Sequence, residues 1–158
     1  MALLKDTNSY ATVIEADAYF EDRLDVAAWD SAEEDKKSQA LVTATAYLNT
    51  VVWIGYAISE SQPLAFPRVG AYFDPRVGYN IVLPDTVPLR IIEATYELAY
   101  HFLNNDGILD DTGTVTDLTV GQISLKIRTN PSVIPNTVNK IITPLLGNSN
   151  KNAWWRAN

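Results

Sequence analysis

Between Gly55 and Pro88 the chain loses every regular period: five of its eight prolines and three of its seven glycines fall there. Proline lacks the amide donor that a helix interior or a central strand requires, so no long regular element can cross this stretch. Regular structure must therefore be built in two blocks, one on each side. A loop of this length inside a compact domain is usually functional or interface-forming. Residues 55–87 are accordingly expected to be a long ordered loop, with Phe66, Tyr72, Phe73 and Tyr79 spaced irregularly along it. One tetrapeptide occurs twice, Pro67-Arg68-Val69-Gly70 and Pro75-Arg76-Val77-Gly78. Chance, or two similar turns joined by a short extended segment, accounts for it better than a periodic architecture. Arg68 and Arg76 are placed to close those turns.

The block before the loop reads as two amphipathic helices. Thr12 with Glu15 forms a capping box, and Ala16, Tyr19, Phe20 and Leu24 recur at helical spacing, predicting a helix from Val13 to about Asp25. Ser31 with Glu34 repeats the device. Behind it Ala40, Leu41, Ala44, Tyr47, Leu48 and Val51 mark a second helix from about Ala32 to Val52, with acids placed favourably at its start. After the loop, Pro88 suits the first position of a third helix running to about Leu103. Its wide apolar arc, Ile91, Ile92, Thr95, Leu98, Ala99, Phe102 and Leu103, marks it as central. Asn104 to Gly107 ends it.

Two alternating runs, Leu118/Val120 and Ile123/Leu125/Ile127, meet at Gly121-Gln122 and predict a β-hairpin over 115–129. Val138, Ile141, Ile142, Leu145 and Leu146 follow at helical spacing, but Pro144 would clash with the Lys140 carbonyl, so this helix is short and kinked. The expected fold is mainly α: a small helical bundle of three main helices plus a short kinked one, with a long ordered loop, one β-hairpin and an extended C-terminal tail. One domain, 1–146, fits a 158-residue chain that is 47 % hydrophobic.

The tail, 147–158, carries Trp154, Trp155 and Arg156. Burying one indole removes roughly 150–250 Å² from water, on the order of 4–6 kcal/mol gross. Ordering about ten residues costs roughly 1–2 kcal/mol each, so a single tail would hold a partner weakly and many tails together would hold it well. The alternative is that the tail folds back over its own chain.

Charge and composition narrow the function. Nineteen acidic against twelve basic residues give a net charge of -7, which repels a phosphate backbone. The basic residues are scattered and form no stripe. Cysteine is absent, excluding disulfides and thiolate chemistry. The opening Met-Ala-Leu-Leu-Lys-Asp has no basic region followed by an apolar run, and no stretch approaches about 18 uninterrupted apolar residues, so neither an export signal nor membrane association is expected. His101, the only histidine, sits beside the apolar arc of the third helix as an ordinary helix residue. Asp106, Asp110 and Asp111 around Gly107 do not follow a calcium-loop order and read as a solvated turn. With no phosphate-binding loop, nucleophile elbow or dinucleotide fingerprint, neither an enzyme nor a cofactor is expected.

The succession Tyr10-Ala-Thr-Val-x-Glu-Ala-Asp-Ala-Tyr19, Ala44-Thr-x-Tyr-Leu48, Trp53-x-Gly55 and Gln62-Pro-Leu-Ala-Phe-Pro-Arg68 resembles the head-tail connector adaptors of tailed phages. The resemblance continues through Pro88, Glu93-Ala94, Glu97-Leu98-Ala99, the hairpin and Pro144-Leu-Leu, about residues 10–146 in all. Members commonly carry the label DnaT-like single-stranded-DNA-binding protein. Phe66 stands where the family typically has tryptophan before Pro-Arg, which keeps an aromatic at that place.

The resemblance implies a subunit that assembles, usually as twelve copies, into a ring beneath the portal protein, prolongs the DNA channel and presents a platform to the tail or nozzle protein. Its location is the neck of the virion, and the host cytoplasm during assembly. Twelve copies of -7 give about -84 around one channel, a field that lets DNA slide without specific binding. Phe66, Arg68, Tyr72, Phe73, Arg76 and Tyr79 are the candidate subunit contacts. Trp154, Trp155 and Arg156 are the candidate portal anchors. A single-stranded-DNA-binding replication accessory protein is the alternative, disfavoured by the acidic charge.

Overall fold

The computed structural model describes residues 2–104, 117–120, 123–126 and 134–147, the strands of 117–126 by their backbone. In chain order the elements are α1 (Val13–Glu21), α2 (Ala27–Asp30), α3 (Glu34–Asn49), β1 (Tyr56–Ala57), β2 (Arg68–Val69), β3 (Ala71–Asp74), β4 (Tyr79–Val82), α4 (Leu89–Asn104), β5 (Asp117–Val120), β6 (Ile123–Lys126) and α5 (Asn136–Ile142), followed by a 3₁₀ turn, Thr143–Leu145. The strands pair antiparallel in three two-stranded pieces, β1-β2, β3-β4 and β5-β6. The protein is a mixed domain, richest in helix.

Thr12 caps α1 as its sequence requires. Its hydroxyl accepts from the Glu15 amide, and the Glu15 carboxylate accepts from the Thr12 amide. The helix stops at Glu21, short of the expected Asp25. Arg23 turns to an ion pair with Glu97, Asp25 takes a left-handed φ of 61°, and Leu24 is 95 % exposed instead of lying on the apolar face. The second capping box does not form. α3 begins at Glu34 with no side-chain cap, because Ser31 closes the unexpected short helix α2 by donating to the Ala27 carbonyl at 2.7 Å. α2 in turn buries Trp29 against Phe20, ring centroids 4.8 Å apart, with its indole N–H on Asp17 at 2.8 Å.

α3 and α4 pack on each other and α5 packs on α4, so α4 is the central element its apolar arc predicts. Ile91, Ala94, Leu98, Ala99 and Phe102 are buried on it, against Leu41, Ala44 and Leu48 of α3 and Val138 and Ile142 of α5. Pro88 stands just outside α4, and its carbonyl receives the Ile91 and Ile92 amides. α5 ends before Pro144 in the 3₁₀ turn, as the proline dictates. The chain then returns to the loop: the Ile54 amide donates to the Leu145 carbonyl at 3.0 Å and the Gly147 amide to the Val52 carbonyl at 2.8 Å.

The long segment 55–87 is more regular than expected, since it contains β1 to β4. Its first half is tied to the core by Asn49, whose amide oxygen accepts from the Tyr10 hydroxyl at 2.6 Å and the Ala65 amide at 3.0 Å. β5 and β6 confirm the predicted hairpin in register, Asp117 opposite Lys126 and Val120 opposite Ile123. The expected turn residues Gly121 and Gln122 lie outside the described residues. So do Asp106, Gly107, Asp110 and Asp111, and the tail from 148 on with Trp154, Trp155 and Arg156.

Candidate functional site

The two copies of the repeated tetrapeptide fold differently. In the first, Arg68 and Val69 form β2, and the Arg68 guanidinium donates to the carbonyls of Ile54 (2.8 Å), Gly55 (2.7 Å) and Ala65 (3.3 Å). Gly55, with φ of 70°, lets β1 approach β2 so closely that a β-carbon there would sit 2.1 Å from the Val69 carbonyl oxygen. Arg68 is therefore spent on holding its own loop together.

In the second copy, Pro75 to Gly78 form the turn of the β3-β4 hairpin. The Val77 and Gly78 amides donate to the Asp74 carbonyl, and Gly78 takes the left-handed φ of 78° that such a turn favours. Asp74 is fully buried, 0 % exposed, and is the anchor. Its carboxylate accepts from the Arg76 amide (2.9 Å) and guanidinium (2.7 Å), from Arg90 (3.1 Å) and from the Tyr72 hydroxyl (3.3 Å). Hydrogen bonds from the Arg76 side chain and backbone, then from Arg90, hold its carboxyl well below the usual carboxylate range despite burial. Arg90, near the start of α4, also donates to the Ile141 carbonyl, so one carboxylate joins hairpin, central helix and α5. A hollow of about 140 Å³ opens beside it, lined by Tyr72, Arg76, Pro88, Leu89, Arg90 and Glu93.

With Tyr72 and Asp74 turned inward, the alternation of β3 leaves Ala71 and Phe73 outward. Opposite them, Val82 pairs with Ala71 and Asn80 with Phe73. The outward face thus presents Phe73 and Val82 to solvent; Val77 in the turn and Tyr79, at the strand end opposite Asp74, are exposed as well, as are Tyr56 and Val69 on β1-β2. Arg76 adds a charge at the tip, its side chain 68 % exposed although it is paired with Asp74.

Of the candidate contact residues, Phe66 and Tyr72 are buried. Phe66 packs edge-on against Trp53, 5.2 Å between centroids, and against Tyr10. Phe73, Arg76 and Tyr79 are the three that lie open on one hairpin. Sequence reasoning missed Asp74 and Arg90, which fix that hairpin. The available signal was Asp74-Pro75 before an Arg-Val-Gly run, since aspartate often opens a turn by accepting from backbone two residues on.

Burial lowers the His101 imidazole from its ordinary value. Among the described residues no three His, Cys, Asp or Glu side chains gather as a metal site, and no helix is long and apolar enough to cross a membrane.

Fold and surface together define a small mixed domain of helices and short hairpins that leaves one sheet face uncovered. Residues 2–157 match the family described as "Putative DnaT-like ssDNA binding protein", and the chain belongs to that family. Nothing among the curated proteins or the solved structures matches it.

Proposed function

We propose that the chain is a structural subunit of a tailed-phage particle, a head-tail adaptor that joins further copies of itself in a ring under the portal, extends the DNA channel and carries the tail. The observation that carries this is the uncovered apolar face of β3-β4, held rigidly by the buried Asp74 cluster yet left open by its own core. Such a face on an otherwise acidic chain is what an assembling subunit needs. A ring also multiplies the weak tails, so that Trp154, Trp155 and Arg156 dock on the portal together.

The test is to mix the full chain, and a version ending at Gly147, with portal rings and follow both by sedimentation and electron microscopy. The full chain is expected to join the portal and the shortened one to remain folded but free. Failure of the full chain to join would overturn the reading.

The family description favours a second reading, a single-stranded-DNA-binding replication accessory protein. Exposed Phe73 and Tyr79 beside Arg76 also offer surfaces on which bases stack. The net charge of -7 opposes it. Fluorescence anisotropy with an oligonucleotide of about 30 bases at low salt decides: tight binding that salt weakens steeply would replace the adaptor reading.

A further inference from the structure

A second hollow, of about 490 Å³, lies on the helical side of the molecule, lined by Ile14, Asp17, Ala18, Glu21, Trp29, Asp30 and Lys37. It shares no residue with the hairpin or with the smaller hollow beside it. Ile14, Asp17, Ala18 and Glu21 recur at three and four along α1, so they form one stripe. Glu15 and Tyr19, which engage Lys5 and Glu97, belong to other faces of that helix.

The stripe departs from what a solvated helix face needs. Ile14 is 81 % exposed and its neighbour Ala18 on the stripe is exposed too, while Trp29, only 1 % exposed, backs the hollow beneath Lys37, whose ammonium lies 5.2 Å from its ring centroid. Three carboxylates rim the hollow against a single lysine. Asp17 is held by Lys37 and by the Trp29 indole, both at 2.8 Å, whereas among the described residues Glu21 and Asp30 have no ion-pair partner. The site is an exposed apolar patch, Ile14 and Ala18, with unspent negative charge beside it.

The hairpin tip is its complement. Phe73, Val77 and Tyr79 are exposed, and Arg76, whose guanidinium holds Asp74 through Nε and one terminal nitrogen, keeps most of its side chain in solvent among them. Asp74 is tied to Arg90, which fixes the hairpin against α4, so the tip is presented outward as a rigid knob. We infer that the β3-β4 tip of one copy seats in the α1-α2 hollow of the next, with Val77 and Tyr79 against Ile14 and Ala18 and Arg76 facing Glu21 and Asp30.

Because knob and hollow are different surfaces, the contact is heterologous, and repeating it closes a ring or grows a filament. A stable interface covers about 800 Å² per partner, more than one hairpin tip offers. Each contact is therefore weak alone, and closure, which gives every subunit two, stabilises the assembly. The inference rests on the adaptor reading only for the copy number.

The absence of cysteine makes the contact testable by thiol cross-linking of the full chain. Val77 and Ala18 are both exposed, so Val77→Cys and Ala18→Cys should fold normally. With a short bismaleimide at high protein concentration, the two variants mixed are expected to give a cross-linked dimer, neither alone should, and the double variant should give a ladder. Adding Glu21→Lys and Asp30→Lys to the Ala18→Cys copy should lower the yield about tenfold.

Dimers from Val77→Cys alone would mean that hairpins meet hairpins, and no cross-link in the mixture would mean that the hollow takes no second copy. Either result overturns the inference. A chain that joins the portal but fails to cross-link loses only this interface, whereas a ladder without portal binding keeps the interface and loses the adaptor.

Discussion

Asp74 shows how one side chain can determine a surface. A buried carboxylate is tolerated only when charged donors surround it, and the two arginines that do so are also the residues that aim the hairpin. Its carboxyl is lowered relative to the unfolded chain, so it contributes stability above the ordinary carboxylate range, near 3.9, and that contribution is lost as the pH falls toward its own depressed value. Asp74→Asn is expected to lower the melting temperature by several degrees at neutral pH and to flatten the acid limb of stability, measured by urea unfolding between neutral and strongly acidic pH. Tyr10 and Tyr96 carry the opposite sign. Burial pushes both phenols up to about 12, so their contribution is complete below pH 10 and is lost as the pH rises through 12. In an ultraviolet titration these two are expected to ionise well above the ordinary phenol value near 10, together with alkaline unfolding. Gly55 acts through backbone instead of charge. A methyl group there meets the Val69 carbonyl at 2.1 Å with φ of 70°, and Gly55→Ala is expected to cost at least about 2 kcal/mol in the same unfolding assay.

At the scale of elements, two identical-looking signals had different fates, and the comparison predicts a measurable difference. Thr12 closes a capping box on α1, so Thr12→Ala should cost about 1 kcal/mol. Ser31 lies in the same motif but serves α2, so Ser31→Ala should change stability by less than about 0.5 kcal/mol. Urea midpoints of the two variants check both. The capping pattern is local, and what decided between the outcomes is the burial of Trp29, a tertiary event that draws Ala27–Asp30 into a turn of its own. Helix α4 was legible because its apolar arc is wide and Pro88 marks its start. The pairing β3-β4 was not, because Pro75 and Gly78 look like loop residues until the alternation Ala71-Tyr72-Phe73-Asp74 is set against Tyr79 to Val82. Within the candidate site, Phe73, Arg76 and Tyr79 could be picked out in the sequence as aromatic and basic residues of the loop. Asp74 and Arg90 could not, since they are 16 residues apart and only the packing of the hairpin on α4 makes them partners.

For the whole molecule, net charge separates the two functional readings through the sign of a salt effect. Subunits that each carry -7 repel one another over a Debye length, roughly 30 Å at 0.01 M and 8 Å at 0.15 M salt. Raising salt removes that repulsion first, because the Arg76 contact with Glu21 and Asp30 is short-ranged and partly shielded from solvent once formed. Self-assembly is therefore expected to strengthen as salt rises from low to physiological levels. A complex with single-stranded DNA behaves oppositely, since each phosphate contact releases a counterion and affinity falls with a steep log-log slope. Mass photometry of the chain alone and anisotropy of a labelled oligonucleotide, run over the same salt series, measure both. An assembled fraction that grows with salt, beside DNA binding that is weak throughout, is the outcome expected of an adaptor. Assembly that dissolves with salt would show that the rim charges, and not the apolar contact at Ile14 and Ala18, hold the copies together.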